Sequence, residues 1–178
     1  MRTNTELLSK LQVKQGSTAK QSDVLARIDR AGKTMINLTN TLLWLSRDDA
    51  NQLASEKVYI DQLVVTLVDE LTYLLDNKPV QLTVNIVPHC INTAEIPCQI
   101  ILANLIRNAF QHTSEGSVVI SQVGSTVSIN NTCEDKILDS ADLGFGLGLR
   151  LIEKIATNYH WSYREKIEGS RYQVQIRF

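Results

Sequence analysis

The feature that most constrains the fold is an apolar seam near the start of the chain, where Val24, Ile28, Ala31, Met35, Leu38, Leu42 and Leu45 recur at alternating steps of four and three residues. That spacing keeps one stripe of a long helix facing partner helices, because a sustained heptad repeat belongs to a bundle seam. Ahead of it, Thr5 to Gln15 also reads as helical, with Leu7, Leu8 and Leu11 on one side and Gly16-Ser17-Thr18 as the break. A two-helix hairpin with a single seam cannot bury itself, so a second copy is its natural partner and a dimeric four-helix bundle follows. The plainer alternative is a surface helix packed on one globular core.

After the polar stretch Arg47-Asp48-Asp49-Ala50-Asn51-Gln52 the hydrophobic period changes, which divides the chain into a hairpin over 1–50 and a second domain over 51–178. Ile60, Leu63, Val64, Leu67, Val68, Leu71 and Leu75 form one helical stripe that Asn77-Lys78-Pro79 ends. Val80, Leu82, Val84 and Ile86 alternate as a strand buried on one face. Ile96 to Gln111 is apolar on more than one side and reads as a buried helix with Pro97 in its first turn. Val118–Val123 and Thr126–Ile129 predict a hairpin around Gly124-Ser125, Leu149–Asn158 a helix, and Trp161–Ile167 with Tyr172–Phe178 a second hairpin. Hairpin-joined strands backed by helices predict an α/β sandwich of the α+β kind.

Composition narrows the partners. With 43% hydrophobic and 21% charged residues the 178-residue chain is globular, and a net charge of −1 offers no broad attraction to nucleic acid or to an anionic membrane. No apolar run is long enough to span a bilayer. Cys90, Cys98 and Cys133 make no disulfide framework, and with His89 they match no common zinc spacing, so a reducing cytoplasm is the simplest setting.

Two segments carry chemistry. In Ile101–Thr113, Asn104 and Asn108 stand one turn apart on one helix face, and amides on so apolar a helix require either a protein network or a ligand. In Gly144-Phe145-Gly146-Leu147-Gly148-Leu149, alternating glycines precede a helix, where close backbone approach and free N–H groups favour phosphate.

The helix NLIRNAFQHT followed some thirty residues later by GFGLGLRLIEKIA resembles the N and G2 boxes of the catalytic domain of sensor histidine kinases. Arg2-Thr3, Leu7-Leu8, Ile28-Asp29-Arg30-Ala31 and Leu42–Arg47 resemble that family's dimerisation hairpin, so the likeness spans essentially the whole chain. It implies a kinase that binds ATP and Mg²⁺ and moves the γ-phosphoryl group to a histidine and then to a response regulator, in a cytoplasmic domain whose parent sits in the bacterial inner membrane. Membrane attachment would come only through a region N-terminal to this chain. Carried over by position, Asn108 matches the Mg²⁺ ligand and Asn104 its neighbour one turn earlier. His112 and Thr113 match the end of the N box, where side chains can approach the phosphates, although a helix-terminus role suits His112 nearly as well. Gly144, Gly146, Leu147, Gly148 and Leu149 match the phosphate loop. ATPases of this fold carry a glutamate at the place of Asn104; an amide cannot accept a proton as base, so transfer fits better than hydrolysis.

Two departures accompany the likeness. The family's acceptor histidine precedes its Arg-Thr pair, whereas this chain opens Met1-Arg2-Thr3, so the histidine is expected just ahead of the chain, with natural degeneration as the other reading. Thr3 then matches a position that orients water in kinases with phosphatase activity, or is simply part of a helix end. In the adenine-reading G1 box, Asn131 falls at the aspartate and Cys133 at the first glycine. An asparagine oxygen can still accept from the adenine amino group, without charge assistance. A rival parse takes Asp142-Leu143-Gly144-Phe145-Gly146 as that box, but Lys136–Ala141 lacks the strand that would aim Asp142. Residues 132–143 are expected to form a lid. A non-catalytic dimerisation or phosphotransfer scaffold and an ATPase of the same fold remain as alternatives.

Overall fold

The computed structural model describes residues 54–132 and 145–178, the backbone alone at 145–147, together with Leu25, Ile28, Gly32, Met35, Ile36, Thr39 and Leu43. The chain divides into two units, Met1–Arg47 and Asp48–Phe178. In the first unit all seven described positions are helical. The expected Thr5–Gln15 helix, the turn at Gly16 and the rest of the seam lie outside the described residues.

In the second unit the element order is β1 (Glu56–Tyr59), α1 (Ile60–Leu71), a 3-10 turn (Thr72–Leu75), β2 (Val80–Asn85), β3 (Cys90–Thr93), α2 (Glu95–His112), β4 (Gly116–Val123), β5 (Thr126–Thr132), α3 (Phe145–Asn158), β6 (Ser162–Glu168) and β7 (Arg171–Arg177). Five strands form one sheet in the order β2-β4-β5-β7-β6, with β2 and β4 parallel and the other pairs antiparallel. β1 and β3 pair antiparallel as a separate ribbon.

The helices cover one face of the large sheet. Val118 and Ile120 on β4, Val127 and Ile129 on β5, and Val174 and Ile176 on β7 alternate into the core, as period-2 geometry requires of a sheet buried on one side. Against them lie Ile101, Leu102, Leu105, Ile106 and Phe110 of α2 and Leu151, Ile152 and Ile155 of α3, all buried. The mixed α/β sandwich expected from the alternating pattern is therefore the architecture of this unit.

Local chemistry sets the element ends. α1 buries Ile60, Val64, Leu67, Val68 and Leu71, one stripe of an amphipathic helix. The stripe was expected to run as one helix to Leu75, but the last turn tightens to 3-10 from Thr72, and Asn77 at φ 62° followed by Pro79 ends it. α2 starts with Glu95 and Pro97 in its first turn, which suits free N–H groups and the positive dipole end. At its other end Lys78 Nζ donates to the carbonyls of Phe110 at 2.7 Å and Gln111 at 3.1 Å, covering acceptors that a helix terminus leaves unpaired. Gly124 at φ 58° makes the two-residue β4–β5 turn, and buried Gln122 ties it down, accepting from Val87 N at 2.9 Å and donating to Gly124 O at 2.7 Å.

The strands also differ from expectation. β1 and β3 were not anticipated, because four-residue strands carry too few alternations to stand out. β5 extends past Ile129 to Thr132, held by seven pairings to β7 from Thr126↔Arg177 to Thr132↔Arg171.

Candidate functional site

The site is assembled from α2, the first turns of α3 and the end of β5. On α2, Asn104 and Asn108 are half-buried and share one face. Asn104 Nδ2 donates back to Ile100 O at 2.8 Å, which turns its oxygen outward from its own helix. That oxygen meets α3: a carbon added at Gly148 would lie 3.7 Å from Asn104 Oδ1 and 3.9 Å from Asn108 Nδ2. The bare glycine therefore leaves the two amides facing the start of α3 with no side chain between.

α3 begins earlier than the glycine pattern suggested. The helix was expected from Leu149, with Gly146 and Gly148 on a turn before it, but helical backbone starts at Phe145. Gly146, Leu147 and Gly148 thus belong to the first turn, whose N–H groups have no acceptor within the helix and sum with its dipole. Glycine lowers helix propensity only by about 1 kcal/mol, so tertiary packing can extend a helix through it. Leu149 follows in the same helix and is half-buried. Of the lid expected over 132–143, Thr132 belongs to β5; the rest of it, with Cys133, lies outside the described residues, as do Gly144 and Thr3.

At the end of β5, Asn131 is 4% exposed and points into the helix side of the sheet. Its Nδ2 donates to Thr113 Oγ1 at 3.1 Å and to Thr132 O at 3.3 Å. Its Oδ1 is buried and has no hydrogen-bond partner. An unpaired buried acceptor costs about 1–3 kcal/mol, so this oxygen fits a donor that the described residues do not supply.

Thr113 is placed differently from the phosphate-facing role given it above. It is fully buried, and its hydroxyl reaches Ala109 O at 2.7 Å and Thr132 O at 3.1 Å while accepting from Asn131. Its hydroxyl is used up in fixing the Asn131 amide through Nδ2, with the buried oxygen left unpaired. His112 is the last residue of α2, half-buried beside this network.

Sequence reasoning did not single out Tyr172. It is the cross-strand partner of Asn131 and therefore stands beside it on the same face. Its hydroxyl donates to Glu165 Oε2 at 2.8 Å, and Tyr163 donates to the same oxygen at 3.1 Å. Burial first, then the neighbouring phenol and Glu165, push the Tyr163 phenol well above its ordinary range; burial and Glu165 do the same for Tyr172. The only sequence signal was the alternation Tyr172-Val174-Ile176; which residue of β5 it meets is decided by register. Cys98 is fully buried, its thiol pushed up by burial and by Glu95, while Cys90 is exposed. Among the described residues no cluster of three His, Cys, Asp or Glu side chains could hold a metal; an amide oxygen, as on Asn104 and Asn108, is a hard donor. Among the described residues no helix is long and apolar enough to cross a membrane.

No family profile and no curated protein matches the chain. Solved structures do. The Acinetobacter baumannii histidine kinase AdeS superposes with a TM-score of 0.65 at 17% identity, over 97% of this chain and 96% of that one. Full-length ShkA in complex with AMPPNP superposes with a TM-score of 0.68 at 21% identity, over 89% of this chain and 38% of that one. The cytoplasmic segment of histidine kinase QseC gives 0.59 at 16% identity, over 85% and 93%. With its five-stranded sheet, its three covering helices and these neighbours, the chain has the fold of the histidine kinase catalytic domain.

Proposed function

We propose that the chain is the catalytic core of a two-component sensor histidine kinase, in which residues 51–178 bind Mg-ATP and residues 1–50 form the dimerisation and histidine-phosphotransfer hairpin. The observation that carries this reading is the meeting of Gly148 with Asn104 and Asn108, forty-four and forty residues away in sequence, at a helix N-terminus. Hard amide oxygens beside unpaired N–H groups suit a divalent cation and phosphate together.

Each residue then has a role. Asn108 holds Mg²⁺ through its amide oxygen, with Asn104 beside it. The backbone of Gly144, Gly146, Leu147, Gly148 and Leu149 binds the phosphates. Asn131 Oδ1 accepts from the adenine amino group, Thr113 fixes that amide, and His112 borders the pocket. Bound Mg²⁺ neutralises charge on the transferring phosphoryl group. Asn104 offers no base for activating water, so transfer to a histidine and then to a response regulator is favoured over hydrolysis. Ile28 and Met35, one heptad apart, are 51% and 65% exposed in the single chain, which is compatible with cover by a partner. The setting is cytoplasmic.

Calorimetric titration with Mg-ATP tests the reading: binding is expected, and its loss in Asn108→Ala. A chain that takes up no nucleotide at millimolar concentration would sink it. A second reading, a scaffold of the same fold without nucleotide chemistry, is favoured by one feature, the neutral Asn131 where a carboxylate would give a stronger acceptor. The same titration separates the two, and steady phosphate release would instead mark an ATPase.

A further inference from the structure

The face of the large sheet away from the helices carries a concavity. Strand alternation places there Ser117 and Val119 of β4, Asn130 and Thr132 of β5, Arg171 and Gln173 of β7, and Lys166 and Glu168 of β6. The Gln175 Nε2 to Ser128 Oγ bond of 3.2 Å links β7 and β5 on this same face. Between these side chains lies a cavity of about 370 Å³, within the range of roughly 300–1,000 Å³ usual for small-molecule sites. A sheet face merely turned to water needs no concavity, and this one crosses four strands.

Val119 is the one apolar side chain among the cavity's lining residues; the rest are hydroxyls, amides and charges. Glu168 pairs with Lys166 along β6 and is the cross-strand partner of Arg171. Lys166 first, and Arg171 in addition, hold the Glu168 carboxyl below its ordinary range. Among the described lining residues one carboxylate stands against two cations, so these side chains leave one positive charge in excess beside the Asn130 and Gln173 amides. Thr132 Oγ1 is engaged with Ser117, accepting from its N–H at 3.2 Å, which fixes the floor.

We propose that this cavity binds a small polar anion, a carboxylate or phosphate group on a body rich in hydroxyl or amide groups, with Arg171 and Lys166 taking the charge and Asn130 and Gln173 the body. Asn131 of β5 also borders the cavity, while its side chain enters the other face, and the proposal does not depend on the nucleotide reading.

The test is a ¹H–¹⁵N NMR titration of the 178-residue chain with citrate and, separately, inorganic phosphate, at constant ionic strength and without nucleotide. Saturable shifts are expected at Asn130, Thr132, Lys166, Arg171 and Gln173, with affinity about tenfold weaker in Arg171→Gln for loss of one charge-assisted bond. Saturation by citrate alone assigns the carboxylate class, and by phosphate alone the phosphate class. Both variants, Arg171→Gln and Lys166→Gln, change exposed strand positions, and an otherwise unchanged spectrum verifies their fold. Unsaturable shifts spread over all surface cations and undiminished in both variants would overturn the proposal. So would silence with both anions while an oligoglutamate peptide saturates the same residues, since the face would then be a docking surface for acidic protein.

Discussion

Replacing Asn131 with alanine is expected to leave the fold nearly as stable while removing most of the nucleotide affinity. The side chain makes two bonds through Nδ2, to Thr113 and to Thr132; at about 0.5–1.5 kcal/mol net each, their loss costs about 1–3 kcal/mol. The same truncation removes the buried Oδ1 that has no partner, relieving about 1–3 kcal/mol. The two terms offset, and a net change within about 1 kcal/mol follows, with Thr113 still bonded to Ala109 and Thr132. Binding has no such compensation. A base whose amino group loses its acceptor forfeits the bond and is left unsatisfied, about 1–3 kcal/mol or roughly ten- to hundredfold in Kd. Stability is read by urea denaturation in a Trp44→Phe background. The signal then comes from Trp161, packed 5.0 Å from Tyr159 and 4.8 Å from Phe178 in ring-centroid distance. Affinity is read by calorimetry with Mg-ATP. Destabilisation beyond about 3 kcal/mol with unchanged affinity would refute the reasoning, because Asn131 would then be a structural amide and its oxygen would have found a partner within the protein.

Gly148→Ala is expected to gain up to about 1 kcal/mol of stability from helix propensity, since the new methyl meets Asn104 and Asn108 only at contact distance, yet to weaken Mg-ATP binding by filling the space between them; equal affinity in the two proteins would count against the site. Gly116→Ala is expected to destabilise by about 1–3 kcal/mol, as φ is 97° and the added carbon would lie 2.7 Å from Thr132 Oγ1, and chemical denaturation checks it. Lys78→Met should loosen the end of α2, seen as faster amide exchange at His112 and Thr113. Burial depresses the Lys78 pKa, so the unfolded chain binds the proton more tightly. Wild-type stability should therefore rise relative to Lys78→Met as pH climbs from the depressed value to the ordinary lysine range, and a flat difference between their denaturation curves would contradict the assignment.

Much of the site was legible because its elements carry strong local signals. Asn104 and Asn108 stood out as polar residues on an apolar helix, the glycines as permissive backbone, and the hairpins at Gly124 and Gly169 as turns at positive φ between alternating strands. The start of α3 was misplaced because glycine argues against helix locally, while the packing of Leu151, Ile152 and Ile155 on the sheet outweighs that preference. β1 and β3 escaped notice because their pairing, Val58 with Ile91, joins residues thirty-three positions apart through four-residue strands.

The amino-acid pattern by itself determined the local periods: a heptad seam, a stripe over Ile60–Leu71, alternating strands, and the residue types able to meet phosphate and a hard cation. Those properties reside in short windows, where side-chain spacing and backbone preference act directly. Tertiary structure alone decided that Thr113 turns inward to hold Asn131, that Tyr172 stands beside it, that Lys78 covers the end of α2, and that Lys166 and Arg171 share a cavity with one carboxylate. Each of these depends on strand register and on helix packing over long sequence separations, and cross-strand neighbours are fixed by the cooperative burial of one whole sheet face rather than by any residue's own preference.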